Sequence, residues 1–253
     1  MTKAAMRLRK TVLQMAYAGN DGNLQSNFSS IEILRVLYDR ILDNAARDRF
    51  VLSKGQSTMA LLALLSEKGY IPPEELLTAC RYDARISMQA DRTKLPCVEV
   101  SAGSLGHGFP IAVGMAWANQ IANRAGRVYV MAGDGEMNEG TMWEAAIFAA
   151  SEKLDNLTLI IDDNDSIGQM IQIGDLGQKL TAFGFHCVEA DGHDEDALET
   201  ALRITHKNAP SAVLARTKRG YGSHILMDDR SWFHRAPSAE ELEQLLQDVE
   251  AYV

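Results

Sequence analysis

Two polar side chains with oxygen atoms suited to a metal ion, Asp134 and Asn164, each follow an apolar run of the sequence. The runs are VYVMA and LTLIID, and a helical pattern lies between them. In a parallel sheet, two strands joined by a helix end side by side at the edge where ligands bind. Carboxylate and amide oxygens suit a hard cation such as Mg²⁺, which takes its remaining ligands from water or a phosphate. The pattern therefore predicts a metal–diphosphate site, and so an enzyme with a cofactor.

Glycines surround these candidate ligands. Gly133 and Gly135 flank Asp134, which lets backbone N–H groups approach a phosphate just before the predicted helix begins. A second glycine-rich segment, GSLGHG at residues 103–108, precedes another predicted helix. Its spacing leaves two interpretations open, a phosphate-binding loop or glycines that allow the helix to pack closely.

Strand-like and helix-like patterns alternate along the chain and predict the frame that positions these residues. The strand-like runs are RFVL, VYVMA, LTLIID, HCVEA and AVLAR. Their alternation with helices predicts an α/β fold with a doubly wound, mostly parallel sheet and helices on both faces. Residues 19–27 have the composition of a polar loop, and Ser29 and Glu32 are spaced as a capping box that would begin a helix. Without repeats or a linker, residues 1–253 are expected to form one domain.

Composition and charge narrow the class of protein. The net charge is −9 and no basic stripe is present, so nucleic acid is not expected as a partner. The 3 cysteines have neither metal-binding nor disulfide spacing, which suits the reducing cytoplasm. No apolar run is long enough for a transmembrane helix, so no membrane association is expected. The first residues resemble a signal peptide only weakly, and an amphipathic helix is the better interpretation.

Several longer motifs occur in an order that carries a family resemblance: FSSIEILRVLY, RFVLSKG, VEVSAGSLGHGFPIAVGMA, GDGEMNEGTMWEAAIFAASEKLDNL, DGHD and WFHRAPSAEELEQLL. Over nearly the whole chain, the sequence resembles the N-terminal half of transketolases, and more closely the N-terminal subunits of split transketolases. The resemblance implies the thiamine-diphosphate-binding fold in its diphosphate-binding form. It also implies thiamine diphosphate as cofactor, with Mg²⁺ or Ca²⁺.

The resemblance assigns roles to individual residues. The protein ligands of the metal would be Asp134, Asn164 and the backbone carbonyl of Ser166. Leu105 would lie against the cofactor rings, and Glu139 matches a glutamate of the acidic network that links paired cofactor sites. The residues implied to bind the cofactor are Gln56, Gly103, Leu105, Gly133, Asp134, Gly135, Glu139 and Asn164.

The resemblance also implies a partner. In the family, the glutamate that activates the cofactor lies in a following pyrimidine-binding domain, and this chain is expected to lack that domain. A C-terminal transketolase-like subunit is therefore expected to supply it, in a heterotetramer. The present chain would contribute a single diphosphate-binding domain.

Amides stand where the family has histidines around the cofactor and the donor channel. Asn23, Gln56 and Gln89 occupy three such positions. A fourth histidine is retained as His234, although WFHR allows a shift of one residue, and His107 stands where many members have glutamine. The candidate catalytic residues are Asn23, Gln89, His107 and His234.

The amides leave the acceptor of the reaction open, because Asn and Gln form hydrogen bonds but do not exchange a proton near neutral pH. In one interpretation, a two-carbon ketol unit passes from a ketose phosphate to the thiol of a lipoyl or acyl-carrier domain, as in dehydrogenase E1 components. In the second, the chain belongs to an ordinary split transketolase with an aldose phosphate acceptor. In the third, it is a non-catalytic cofactor-binding or structural subunit.

Overall fold

A parallel sheet of five strands forms the centre of the structure, a computed structural model that describes residues 1–165, 171 and 173–252. The strands are β1 (Arg49–Leu52), β2 (Val128–Gly133), β3 (Leu157–Asp163), β4 (His186–Asp191) and β5 (Ser211–Arg216). Their order across the sheet is β1-β2-β3-β5-β4, and every neighbouring pair is parallel. The doubly wound α/β fold predicted from the alternation of strands and helices is confirmed.

Eleven α-helices of the described chain surround the sheet. They are α1 (Lys3–Gly19), α2 (Leu24–Ser29), α3 (Ile31–Val36), α4 (Thr58–Glu67), α5 (Pro73–Leu76), α6 (Gly108–Ile121), α7 (Gly140–Ser151), α8 (Leu176–Phe183), α9 (Glu195–Arg203), α10 (His224–Asp228) and α11 (Ala239–Ala251). A wider helical turn, Leu37–Ile41, extends α3. Among these described helices, none combines the length and apolarity that crossing a membrane requires.

The two faces of the sheet carry separate apolar cores, because successive strand residues point to opposite faces. Met131 and Ile160 pack on the face covered by α1 to α4, α9 and α11. Val130 and Leu159 pack on the other face, against α6, α7 and α8. Burial on both faces explains why the central strands are continuously apolar in the sequence.

The predicted capping box at Ser29 is wrong. The segment expected to be a polar loop already contains α2, whose first turn is capped by the Asn23 side chain, which accepts the Ser26 N–H at 3.4 Å. The Ser29 hydroxyl instead donates to a carboxylate of β3 at 2.8 Å, and Glu32 forms an ion pair with α1. Partners distant in the sequence therefore replace the local cap that the spacing suggested.

A buried ion pair connects α1 with α3 and with the turn after β4. Arg9 Nη1 lies 2.8 Å from Glu32 Oε1, and both side chains are almost fully buried. His193 Nε2 accepts the Lys218 N–H at 2.8 Å, so its Nδ1 carries the hydrogen that points to Glu32 at 3.4 Å. Burial alone would raise the pKa of Glu32, but Arg9 and the His193 hydrogen bond outweigh it and hold that pKa below its ordinary 4.5.

Replacing Glu32 with Gln is expected to lower the free energy of unfolding by about 3–5 kcal/mol near neutral pH, because Arg9 then stays buried without a countercharge. Since the folded-state pKa of Glu32 is depressed, its contribution is present above the ordinary 4.5 and is lost as pH falls through the folded-state value. Denaturant unfolding of both proteins across a pH series should therefore show the difference closing in acid.

The matched control is Glu75→Gln, which breaks an ion pair with Arg85 whose side chains are 31% and 48% exposed. An exposed pair contributes at most about 1 kcal/mol. Equal losses from Glu32→Gln and Glu75→Gln would contradict the role assigned to the buried pair.

Candidate functional site

The carboxyl ends of β2 and β3 border a cavity of about 320 Å³. The register pairs Gly133 with Asp162, so Asp134 and Asn164 leave neighbouring strands at the same edge of the sheet. Six of the residues predicted from the sequence line this cavity: Gln56, Leu105, Gly133, Gly135, Glu139 and Asn164. The strand ends thus bring together residues that are far apart in the chain.

The NH₂ end of the Asn164 amide has a hydrogen-bond partner, whereas its oxygen has none among the described residues. Its Nδ2 donates to the Ser29 hydroxyl at 3.2 Å. Its Oδ1 is buried and accepts no hydrogen bond from the residues that the structure describes. A buried oxygen without a donor costs free energy unless something outside the protein binds it. A cation is the partner that suits this oxygen.

Acidic side chains concentrate beside that oxygen. Asp134 is only 3% exposed, and its backbone N–H donates to the carbonyl of Asp162 at 3.2 Å. Burial raises the pKa of Asp163 despite the nearby Arg216, and the carboxylates of Asp134 and Asp162 push it the same way. Two of these carboxylates have cationic partners, because Lys54 pairs with Asp162 and Arg216 pairs with Asp163.

The donor set fits a hard cation that the protein does not enclose by itself. Within the described ranges, no group of three or more His, Cys, Asp or Glu side chains could hold a metal ion. Asp134 and Asn164 offer oxygens from adjacent strands, and the third ligand expected from the sequence, the carbonyl of Ser166, lies outside the described residues. Mg²⁺ accepts such a partial set when a phosphate supplies further oxygens.

A second buried ion pair lies beside the cavity. Lys54, which follows β1, places its Nζ 2.5 Å from Asp162 Oδ2 on β3. The ammonium also donates to the Ser26 carbonyl at 3.1 Å and to the Ser29 hydroxyl at 3.2 Å. Burial alone would raise the pKa of Asp162, but Lys54 outweighs it, with hydrogen bonds from Thr217 and Ser29, and holds that pKa low. The positive charge of Lys54 is therefore already neutralised by the protein.

Glu136 contributes a buried carboxyl group to the cavity wall. Its Oε1 accepts the Ser53 hydroxyl at 2.5 Å and the Gly106 N–H at 2.8 Å, whereas its buried Oε2 accepts none from the described residues. Burial raises the pKa of Glu136 above its ordinary 4.5, against these hydrogen bonds. The carboxyl group fastens the glycine-rich segment to the turn after β2.

Two glycines of the segment 103–108 are required by close packing. Gly106 has φ +80°, and a Cβ there would lie 2.5 Å from Thr141 Oγ1 and 2.6 Å from Glu139 Cβ. A Cβ on Gly108 would lie 2.6 Å from Ser53. These positions favour the close-packing interpretation for both glycines, and the approach brings Leu105 and Glu139 to the same cavity.

The predicted residues Gly103 and Gln89 lie against each other and not in the cavity wall. A Cβ on Gly103 would lie 3.2 Å from Gln89 Cγ. With its amide oriented to donate, Gln89 bonds the carbonyl oxygens of Gly55 and Ala102, each at 3.2 Å. The amide of Gln89 thus connects two backbone segments beside the cavity.

The other three candidate catalytic residues also lie outside the cavity wall. Asn23 caps α2, and its buried Nδ2 finds no acceptor among the described residues. His107 is exposed, with its Nδ1 3.1 Å from the Leu105 carbonyl. His234 is exposed as well, and its neighbour Phe233 lines the cavity instead. The one-residue ambiguity in WFHR therefore places a phenyl ring, not an imidazole, at the site.

Sequence reasoning missed six residues of the cavity wall: Ser26, Lys54, Glu136, Asn138, Ile171 and Phe233. A lysine directly after a short apolar strand was a usable signal, because such a position is buried and its charge needs a partner. The acid after Gly135 was a weaker signal, since acidic turns are commonly exposed. For Phe233, the sequence offered only the ambiguity of register.

A larger and more open groove of about 650 Å³ lies beyond the ends of β4 and β5. His193, Lys218 and Tyr221 contribute to its wall, as does Arg216, which is paired with Glu189 and Asp163. None of the residues predicted from the sequence lines it. We take the smaller cavity as the candidate site, because the unsatisfied Asn164 oxygen lies there.

Comparisons with known proteins identify the family of this chain. A family model described as the thiamine diphosphate binding domain of transketolase matches residues 2–249. One of the subunits of the apulose-4-phosphate transketolase of Actinobacillus succinogenes is 34% identical over 98% of this chain and 94% of its own length. A 6-deoxy-6-sulfo-D-fructose transketolase subunit of a Clostridium species is 37% identical over 85% of this chain and 84% of its own.

Single-chain transketolases are similar over part of their length. The transketolase of Leishmania mexicana superposes on 98% of this chain with a TM-score of 0.88 at 25% identity. The match covers 41% of that protein. Human transketolase is 34% identical over 97% of this chain and 41% of its own length. The chain thus spans less than half of these longer relatives.

Replacing Gly106 with Ala is expected to lower the free energy of unfolding by about 1–3 kcal/mol, because a side chain at positive φ is strained and meets Thr141. Gly114→Ala is the matched control, since Gly114 lies in the exposed part of α6 with no neighbour within 4 Å of its Cβ position. That variant should gain about 0.5–1 kcal/mol. Thermal unfolding midpoints should move in opposite directions, and a common direction would contradict the packing argument.

Proposed function

Because the chain belongs to the family of transketolase thiamine-diphosphate-binding domains, we propose that it is the diphosphate-binding half of a two-chain transketolase. The reaction would be transfer of a two-carbon ketol unit from a ketose phosphate. The observation that carries this proposal is the unsatisfied, buried Asn164 Oδ1 in a cavity at the carboxyl ends of β2 and β3. Asp134 follows the neighbouring strand at the same edge of the sheet, although it is not among the residues that line the cavity. The proposal is also supported by Gly133 and Gly135, which flank Asp134 at the end of β2, and by the relatives named as transketolase subunits.

The residues present fit thiamine diphosphate and a divalent metal, Mg²⁺ or Ca²⁺. Asp134 and Asn164 would hold the metal, with the carbonyl of Ser166 as the third protein ligand expected from the sequence. Gly133 and Gly135 leave backbone accessible to a diphosphate. When bound, thiamine diphosphate supplies the electron sink needed to break the bond between the carbonyl carbon of a ketose and the next carbon.

The side chains of the cavity bind, orient and exclude water. Leu105, Ile171 and Phe233 provide apolar surface for rings and limit the access of water. Gln56 offers a neutral amide donor at the same wall. Glu139 is exposed at the start of α7, where a carboxylate of a second chain can meet it. Within the described part of the cavity wall, no histidine is present to move a proton.

We propose that a C-terminal transketolase-like subunit carrying the pyrimidine-binding domain docks over this cavity, in a heterotetramer. The helices α6 and α7 begin at its rim and expose large apolar side chains, and an apolar surface of this kind marks an interface. The exposed side chains are Ile111, Trp117, Ile121, Ile147 and Phe148. The rings of Trp117 and Phe148 pack edge to face at 5.3 Å, which makes the patch continuous across the two helices.

A cytoplasmic location belongs to the same proposal. The cysteines Cys80, Cys97 and Cys187 all carry free thiols. Burial raises the pKa of each thiol, so the unreactive protonated form is favoured near neutral pH. Unpaired thiols suit a reducing compartment.

For the acceptor, we propose an aldose phosphate, since the similar subunits are named as sugar-phosphate and sulfosugar transketolases. One observation favours the rival acceptor, a lipoyl or carrier-protein thiol: amide and apolar side chains line the described wall where histidines were expected. A thiol acceptor would need less proton transfer from the protein. Both acceptors share the donor half of the reaction.

Purified chain and partner subunit together are expected to bind thiamine diphosphate only when Mg²⁺ or Ca²⁺ is present, measured by calorimetry. Asn164→Ala should weaken the binding of the metal at least about tenfold, because it removes a ligand oxygen. The control is Asn119→Ala, which also removes a side-chain amide but lies on α6, away from the cavity wall. Metal-independent binding, or equal effects of the two variants, would refute the assigned metal site. No binding at all would refute the proposed cofactor.

An acceptor competition tests the reaction itself. The assembled enzyme is given a ketose phosphate labelled in its first two carbons, together with ribose 5-phosphate and a lipoylated carrier domain. The label is expected on the product of the aldose phosphate. Label on the carrier domain alone would replace the proposed acceptor with a thiol. Label on neither acceptor, with cofactor bound, would favour a non-catalytic cofactor-binding subunit.

A further inference from the structure

The Asn164 side chain can serve a metal ion only if its oxygen faces the cavity. An amide has two different ends of similar shape, an oxygen that accepts and an NH₂ group that donates. The NH₂ end would repel a cation. A metal site at Asn164, which rests on the proposed function, therefore requires a contact that fixes the direction of this amide.

The neighbours of the Ser29 hydroxyl determine the direction of its hydrogen bond with Asn164. A hydroxyl donates once and accepts twice. Ser29 Oγ lies 2.8 Å from Asp162 Oδ2 and 3.1 Å from the Ser26 carbonyl, and both of these oxygens only accept. The Lys54 ammonium, which only donates, lies 3.2 Å away. The single hydrogen of Ser29 is therefore directed to an acceptor other than Asn164.

It follows that Ser29 accepts from Asn164. The amide Nδ2 lies 3.2 Å from the hydroxyl oxygen and must be the donor of that contact. The Oδ1 end then points away from Ser29, where it has no partner in the described chain. The buried Lys54–Asp162 pair maintains this arrangement, because it keeps a carboxylate on one side of the hydroxyl and an ammonium on the other.

We infer that Ser29 is a positioning residue for the metal site: its hydroxyl holds the Asn164 amide with the oxygen directed into the cavity. Ser29 is not among the residues that line the cavity and would act through Asn164. Without the hydroxyl, the NH₂ group of Asn164 loses its partner and the amide can turn. In a fraction of the molecules, the NH₂ group of Asn164 would then face the cation in place of the oxygen. Loss of a group that orients a metal ligand typically weakens metal binding about 10–100-fold.

Ser30 provides a matched control on the same helix end. Its hydroxyl also contacts Asp162 Oδ2, at 2.9 Å, and lies 3.3 Å from Lys54 Nζ. It forms no hydrogen bond with Asn164 and contacts Ser57 Oγ at 2.7 Å instead. Removing either hydroxyl takes two contacts from the buried ion pair, one with Asp162 and one with Lys54, but only the loss at Ser29 releases the amide.

The test measures metal affinity and fold stability together on the full chain assembled with its partner subunit. Mg²⁺ is titrated at saturating thiamine diphosphate, and thermal unfolding is recorded without metal. Ser29→Ala is expected to raise the Mg²⁺ concentration for half-saturation about 10–100-fold. Ser30→Ala should stay within about twofold of wild type, although it loses a similar buried hydrogen bond. Ser29→Thr keeps the hydroxyl and should bind Mg²⁺ like wild type.

Each other outcome overturns the inference. If Ser29→Ala binds Mg²⁺ like wild type, the hydroxyl does not position the amide. If Ser29→Ala and Ser30→Ala weaken binding equally, the effect comes from the ion pair and not from Asn164. If Ser29→Ala does not fold, the Ser29→Thr variant is the test. A folded Ser29→Thr variant that binds Mg²⁺ more weakly than wild type overturns the inference. Wild type without Mg²⁺-dependent cofactor binding defeats the proposed function, and the inference with it.

Discussion

The buried ion pair between Lys54 and Asp162 is the interaction on which the geometry of the cavity depends. Two charges removed from water are stable only when their attraction and further hydrogen bonds offset the lost hydration. Here Ser29 and Ser30 donate to the carboxylate, together with Thr217, and the ammonium has carbonyl and hydroxyl acceptors. The pair therefore connects the end of β1 with the end of β3 across β2. Its hydrogen bonds with Ser29 and Thr217 connect it to α2 and to the end of β5.

This arrangement also determines what charge remains for a ligand. The positive charge of Lys54 is neutralised by Asp162, and Arg216 is paired with Asp163, so both of these cations at the strand ends already have a carboxylate partner. In the proposed site, a divalent cation held by Asp134 and Asn164 would supply the positive charge that a diphosphate needs, which gives a physical reason for metal and diphosphate to bind together.

The surface around the cavity exposes large apolar side chains, and it is there that we propose a second chain docks. The helices that begin at its rim carry their apolar side chains outward, so the apolar patch and the cavity form one continuous face. A ligand in this cavity would lie between two protein surfaces. Exclusion of water from the reacting atoms then becomes a property of the assembly, because the walls formed by Leu105 and Phe233 are open on one side in this chain.

The sequence by itself determined the strands, the turns that end them and the position of Asp134 and Asn164 after two neighbouring strands. These depend on short-range patterns: apolar runs buried on both faces, and the glycines beside Asp134. The tertiary structure alone decided the partners of the buried polar groups. Ser29 and Asp162 are 133 residues apart, and Lys54 and Asp162 are 108 apart, so no local spacing reveals either contact. It also decided that Phe233 and not His234 lines the cavity, because a shift of one residue changes which side chain faces inward.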